Sequence, residues 1–225
     1  MNILITGANR GIGLALARHY SQQGHQVLAC VRRPGDAVAL AALDGVKVLA
    51  LDVSQDDSIQ NLQARLAQTP IQLLINNAGV YGPSPSNLHD LKRRDWQQVM
   101  DVNLYGPLLL TQALIDNLRQ AGSARVAFIS SKMGSIGDNG SGGCLIYRSS
   151  KAALNAAVRS LALDLAHEGI LVGLYHPGWV QTAMGGPNAL IDTATSIAGL
   201  AQRIEELSLG NSGQFLAYDG SPIPW

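Results

Sequence analysis

NILITGANRGIGLALARHY, residues 2–20, decides the fold. Residues 2–6 are an apolar run with no polar alternation, which is how a strand covered on both faces reads. Residues 11–23 alternate at helical spacing. Between them lies a short turn with glycines at Gly7, Gly11 and Gly13. The spacing is not G-x-G-x-x-G, but the physics is shared. Glycine allows a tight turn and a close backbone approach to a pyrophosphate, and a helix start offers free N–H groups to the anion. A glycine pattern is informative only in this setting, between a first strand and a first helix.

The same alternation continues along the chain. Further apolar runs fall at 26–31, 46–51, 71–76, 125–130, 171–176 and 213–218. Helical segments are expected at 36–42, 55–67, about 92–119, 147–168 and about 192–206. Strand and helix in regular succession give a parallel sheet with helices on both faces. The expected architecture is α/β: a single-domain Rossmann fold with a doubly wound, seven-stranded parallel sheet. No linker divides residues 1–225, so one nucleotide-binding domain is expected. Its cofactor half spans about 1–125, and its catalytic and substrate half about 126–225.

Composition excludes several classes. Net charge is zero and charged residues make up only 14% of the chain, so the concentrated positive face that nucleic acid needs is missing. Hydrophobic residues make up 47%, which suits a large buried core. Cys30 and Cys144 lie far apart without metal-type spacing, as in a reduced intracellular protein. The five histidines (19, 25, 89, 167 and 176) lack ligand spacing too, so no metal site is expected. Met1 leads straight into the first strand, with neither a signal-peptide pattern nor an apolar stretch long enough for a membrane span. A cytoplasmic protein without membrane or nucleic-acid partners is the expectation.

The end of the second strand addresses the nucleotide. An acid there usually bonds the ribose 2′-hydroxyl. Here Arg32 and Arg33 follow the strand and no acid precedes Asp36, while Arg10 sits inside the glycine turn. Guanidinium groups suit a 2′-phosphate through forked, charge-assisted hydrogen bonds. The expected cofactor is therefore NADP(H).

Residues 130–151, SSKMGSIGDNGSGGCLIYRSSK, read by composition as a linker. They follow the apolar run VAFI and end with a tyrosine and a lysine at the start of a helix. Taken with TGANRGIG (6–13), LDV (51–53), NNAG (76–79), Asn103 in VNLYG, ISS (129–131), YRSSK (147–151) and HPGWVQT (176–182), the chain resembles the short-chain dehydrogenase/reductases. The resemblance spans the whole chain, with its motifs in order. The last third is more narrowly similar to the branch containing sniffer-type carbonyl reductases and C-factor proteins.

The resemblance implies site residues. Asn103, Ser131, Tyr147 and Lys151 would form the catalytic group. Gly7, Asn9, Arg10, Gly11, Ile12 and Gly13 would cradle the cofactor. Asp52 and Val53 would lie at the adenine, with Asn77, Ala78 and Gly79 alongside. Pro177, Gly178, Val180 and Thr182 would hold the nicotinamide end, and Tyr147 and Lys151 would also contact the cofactor. Met133, Leu145, Trp179 and Met184 flank these motifs and could form an apolar substrate pocket.

The chemistry is consistent with those residue types. Carbonyl reduction leaves an alkoxide that needs a general acid. Tyrosine, with a pKa of about 10, must be lowered by about three units to ionise readily near neutrality, which takes roughly 4 kcal/mol. A lysine four residues on projects to the same helix face. Its charge at about 4 Å, with an effective dielectric of about 20, supplies about 4 kcal/mol. Ser131 would donate to the carbonyl oxygen. The resemblance implies that the Asn103 carbonyl binds a water in a proton relay to the lysine, and Pro107, which lacks the N–H that would engage that oxygen, is a local reason for it to be available. One departure stands out: Ser131 lies sixteen residues before Tyr147, farther than the family pattern, and Ser135 lies twelve before it. Ser131 is preferred because it directly follows a strand.

These readings together predict an NADPH-dependent oxidoreductase that reduces a small aldehyde, ketone or quinone, with Tyr147 as general acid/base. The alternatives are an NADP(H)-binding signalling or sensor protein of C-factor type, and a pterin reductase. The resemblance also implies a homo-oligomer, dimer or tetramer, through helices 92–119 and 147–168. The segment 185–212 is short for a lid, so the pocket is expected to be open or completed by a partner chain.

Overall fold

Ile3, Leu4 and Ile5 are wholly buried, and they point to opposite sides of the first strand. Leu4 joins one apolar layer, while Ile3 and Ile5 join the other. That two-sided burial accounts for the uninterrupted apolar run at the start of the chain. We describe the protein from a computed structural model, in which residues 1–84 and 86–225 are described.

The strands are β1 (Asn2–Thr6), β2 (Gln26–Val31), β3 (Val46–Ala50), β4 (Leu73–Asn76), β5 (Arg125–Ile129), β6 (Leu171–His176) and β7 (Phe215–Ala217). They form one seven-stranded sheet in the order β3-β2-β1-β4-β5-β6-β7, every neighbouring pair parallel. Helices α1 (Gly11–Gln22), α2 (Val38–Ala41) and α8 (Thr193–Glu205) cover one face through Leu16, Tyr20, Leu40, Ile197 and Leu200. The other face carries α3 (Asp56–Leu66), α5 (Gly106–Ala113), α6 (Ile115–Gln120) and α7 (Leu145–Leu165), through Leu62, Leu110, Leu118, Leu154 and Val158. This is the doubly wound, single-domain α/β architecture expected. The strand order reverses between β1 and β4, and a crevice opens there at the carboxyl ends of the strands.

Two expected helices differ. Residues 36–42 form only a 3₁₀ turn, Pro34–Asp36, followed by the four-residue α2. The expected helix at 92–119 is a succession: α4 (Arg93–Met100), a π segment (Asp101–Tyr105), α5 and α6. In the π segment the Gly106 N–H reaches back to the Asp101 carbonyl. Such a widening puts an extra residue into the turn, and the missing N–H of Pro107 in the next turn favours it. Asn103 is the middle residue of that segment and is fully buried.

Candidate active site

The glycine turn is built for close approach. A Cβ on Gly13 would stand 2.6 Å from the Asn77 side-chain nitrogen and collide with the Gly7 carbonyl. Only glycine lets α1 start this near β1. Arg10, the residue before α1, makes no side-chain cap, so the first-turn N–H groups have no side-chain partner. The turn is locked to the next strand by Thr6. Its hydroxyl accepts from the N–H groups of Asn77 (3.0 Å) and Ala78 (2.9 Å), and Asn77 Nδ2 donates to the Thr6 carbonyl at 2.8 Å.

A cleft of about 700 Å³ runs from this turn across the crevice. One end is lined by Gly7, Asn9, Arg10, Gly11, Ile12, Gly13, Arg32, Asp52 and Val53. Asn77, Ala78, Gly79, Val80 and Tyr81 form its middle. Tyr147, Lys151, Pro177, Thr182 and Met184 close the other end. The volume, the unfilled amide donors and the two guanidinium groups suit an extended, anionic dinucleotide. Arg33, Gly178 and Val180 are not among the described residues lining the cleft. Val180 is buried in a bridge to Ile191 instead.

The catalytic candidates converge at the inner end. Ser131 follows β5, and Tyr147 stands in the first turns of α7, which begins two residues earlier, at Leu145. Burial raises the Tyr147 pKa, and hydrogen bonding with Ser131 opposes the rise. Lys151 is itself buried, which lowers its pKa to about 8, and its Nζ donates to the Ile129 carbonyl at 2.9 Å. Burial therefore keeps the tyrosine a neutral phenol.

Ser131 Oγ also accepts from the Met133 N–H at 3.2 Å, and Ser135 makes a turn bond of the same kind. Its hydroxyl accepts from the Asp138 N–H at 3.0 Å, closing a turn in the glycine-rich loop. Asn103 has a fully used side chain: Oδ1 accepts from the Val80 N–H at 2.9 Å, and Nδ2 donates to the Val80 carbonyl at 2.9 Å and to Ser150 Oγ at 3.0 Å. Its amide thus fastens the β4 loop to α7. Its backbone carbonyl stands four residues before Pro107, which has no N–H to offer it.

Of the expected pocket residues, Met184 lines the cleft and Met133 places Sδ 4.0 Å from the Tyr81 hydroxyl. Leu145 and Trp179 lie outside the lining; Trp179 is 49% exposed, with Nε1 donating to the Gly185 carbonyl at 2.7 Å. Two residues escaped the sequence reading. Tyr81 stacks on Tyr147 with ring centroids 4.6 Å apart and planes 29° apart. Its position just beyond NNAG, at the carboxyl end of a central strand, was the available signal. Arg148 binds the glycine-rich loop at three points: the Met133 carbonyl (3.3 Å), Ser141 Oγ (2.8 Å) and the Gly142 carbonyl (3.2 Å). Its place beside Tyr147 hinted at nothing without the loop's path.

Among the described residues no three His, Cys, Asp or Glu side chains converge as a metal site, and no helix is long and apolar enough to cross a membrane. Cys30 and Cys144 are both free.

Comparison with known proteins agrees with this arrangement. The family model for short chain dehydrogenases matches residues 1–190. The C-signal protein of Myxococcus xanthus is 46% identical over 156 residues, which cover 69% of this chain and 93% of that protein. The carbonyl reductase Sniffer of D. melanogaster superposes with a TM-score of 0.92 at 31% identity, covering 100% of this chain and 99% of its own. The NADPH-bound carbonyl reductase from chicken fatty liver gives 0.92 at 34% identity, covering 100% and 98%. With the glycine turn, the Ser-Tyr-Lys group and the reversed strand order in one crevice, the chain belongs to the short-chain dehydrogenase/reductase family.

Proposed function

We propose that the protein is an NADPH-dependent reductase of a small aldehyde, ketone or quinone. The observation that carries this reading is the pairing of Ser131 with a buried, neutral Tyr147 on the cleft wall, with Lys151 one helical turn beyond. Held along the cleft from the glycine turn to Tyr147 and Lys151, NADPH would supply the hydride to the carbonyl carbon. Tyr147 gives its phenolic proton to the carbonyl oxygen, and burial favours this direction because the acid is present in its protonated form at neutral pH. Ser131 donates to the same oxygen as negative charge develops there. Lys151, with a pKa near 8, remains largely charged at neutrality and stabilises the tyrosinate left behind. The Asn103 carbonyl, opposite Pro107, holds a water that returns the proton by way of Lys151.

Arg10 and Arg32 support the 2′-phosphate preference: both line the cleft at its outer end, where Asp52 is the acid present. Arg32→Asp is expected to lower kcat/KM with NADPH by about tenfold or more and to narrow the preference over NADH, since a lost charge-assisted pair costs about 1.5–3 kcal/mol. An unchanged cofactor ratio in steady-state kinetics would refute the assignment. The carbonyl chemistry is tested by following NADPH oxidation against a panel of aldehydes, ketones and quinones.

A second reading has a specific basis, the 46% identity to C-signal. In it the chain is a nucleotide-binding signalling protein. Tight NADPH binding with no turnover across the panel would favour that reading. A second copy is expected to cover Tyr105, Leu109 and Leu163, which are exposed on the π segment, α5 and α7; sedimentation of the purified protein tests it.

A further inference from the structure

The tyrosine stacked on Tyr147 is held by an unusual piece of backbone. Cys144 is the only described non-glycine residue with positive φ, at φ 51° and ψ 40°. It follows Gly142 (φ 64°) and Gly143 (φ 67°), so three successive residues are left-handed. That conformation strains a residue with a Cβ. A glycine would avoid the cost, and glycine is abundant in this loop. What the cysteine adds is its thiol: Sγ lies 2.9 Å from the Tyr81 hydroxyl. Met133 Sδ stands 4.0 Å from the same hydroxyl. The next residue, Leu145, donates its N–H to the Ser86 carbonyl at 3.0 Å. The loop after β4 and the glycine-rich loop are therefore clasped together at the point where Tyr81 meets Tyr147.

Tyr81 is not a core aromatic. It is half-buried and lines the cleft, and its hydroxyl is turned toward sulfur. Its ring covers one face of Tyr147. A stacked pair of this kind adds attraction beyond its buried area, which favours one orientation of the ring. It also excludes water from that face.

We propose that Tyr81, anchored by Cys144, is a positioning residue that holds the Tyr147 phenol in its reactive orientation and keeps it dry. The proposal rests on Tyr147 being the acid of the function proposed above. Around Tyr147 stand Ser131 from the β5 loop, Tyr81 from the β4 loop and Lys151 from α7 itself. Cys144 and Arg148 act in turn on Tyr81. Burial raises the Tyr147 pKa, so opening one face to water should bring it down.

The test has two arms. The chain has six tyrosines. With all of them labelled at ¹³Cζ, the Tyr147 resonance is identified by its loss in Tyr147→Phe and titrated by NMR in protein saturated with NADP⁺. Tyr81→Leu should move its midpoint down by about one pH unit, while Tyr81→Phe, which keeps the stack, leaves it close to wild type. Cys144→Ala keeps the ring but frees it, and should move the midpoint in the same direction by less. In the kinetic arm, Tyr81→Leu lowers kcat about tenfold while the Kd for NADPH stays within about twofold, and Tyr81→Phe recovers most of the loss. An unmoved Tyr147 titration in both Tyr81→Leu and Cys144→Ala overturns the proposal. So does a Tyr81→Phe variant as damaged as Tyr81→Leu, which would assign the effect to the hydroxyl. Absence of turnover in the wild type would overturn the reductase reading instead, and the NMR titration would still decide the role of Tyr81.

Discussion

Gly134 rests directly on the backbone of Lys151: a Cβ there would stand 2.8 Å from both the Lys151 carbonyl carbon and its Cβ. The glycine-rich loop is therefore packed against α7 at the lysine, with the Gly134 N–H bonded to the Ser131 carbonyl at 2.8 Å. One residue spaces two members of the catalytic group. Gly134→Ala must push the loop or the helix aside. Overpacking of this kind costs about 1–3 kcal/mol. A shift of about 1 Å between Ser131 and Lys151 should lower kcat by about a hundredfold. Urea denaturation and steady-state kinetics read the two effects; a variant with wild-type kcat would show that the spacing is not critical.

The two candidate serines separate by what else they do. Both close a turn with a backbone N–H, Ser131 with Met133 and Ser135 with Asp138, but Ser131 also acts on Tyr147. Ser131→Ala should lower kcat by about a hundredfold, because an oxyanion-type donor is worth about 2.7–4 kcal/mol in the transition state, and should cost about 1 kcal/mol of stability from the lost Met133 bond. Ser135→Ala should leave kcat within about threefold and cost about 1 kcal/mol of stability from the lost turn bond. The reverse ranking of turnover would transfer the catalytic role to Ser135.

Much of this was legible in the sequence, for reasons that lie in the residues. The apolar runs identified all seven strands because the central strands are buried on both faces, while β3, at the sheet edge, buries only Leu49 fully and was identified by its run of Val, Leu and Ala. The glycine turn and the Tyr147–Lys151 pair were legible because each depends on neighbours within a few positions. The break of the 92–119 helix was half visible: Pro107 marked the missing N–H, but the widening to a π segment depends on what Asn103 meets across the cleft, Val80 and Ser150. The Lys151 charge was placed along the helix, but its burial and its bond to the Ile129 carbonyl are tertiary facts. Tyr81 and Arg148 were invisible for the same reason. Each matters through a loop that returns from a distant part of the chain.

Arg148 illustrates the point. Its guanidinium bonds residues 133, 141 and 142, gathering both ends of the glycine-rich loop onto the start of α7. It is a strap beside the site, separate from the nucleotide cradle. Arg148→Ala should raise KM for the carbonyl substrate about fivefold or more, while the Kd for NADPH stays within about twofold. Arg148→Lys should behave like alanine, since an ammonium cannot reproduce three directed contacts from a planar fork. Equal losses in carbonyl and NADPH affinity would instead indicate a general loosening of the fold.

His176, at the end of β6, predicts the acid limit of stability. Burial lowers its pKa to about 4, with Lys132 acting in the same direction and Asp219 and Asp138 partly opposing. Its Nδ1 is buried without a partner. The folded protein thus holds a neutral imidazole that the unfolded chain protonates near pH 6.5. Between about pH 6.5 and pH 4 the unfolded state binds more protons, so stability is fully present above about 6.5 and falls as pH drops toward 4. The full shift corresponds to at most about 3 kcal/mol. His176→Gln removes the titration while keeping a polar, uncharged side chain. Unfolding free energies measured from pH 7 to 4 should fall less steeply for His176→Gln than for the wild type. Parallel curves would place the acid sensitivity in other groups.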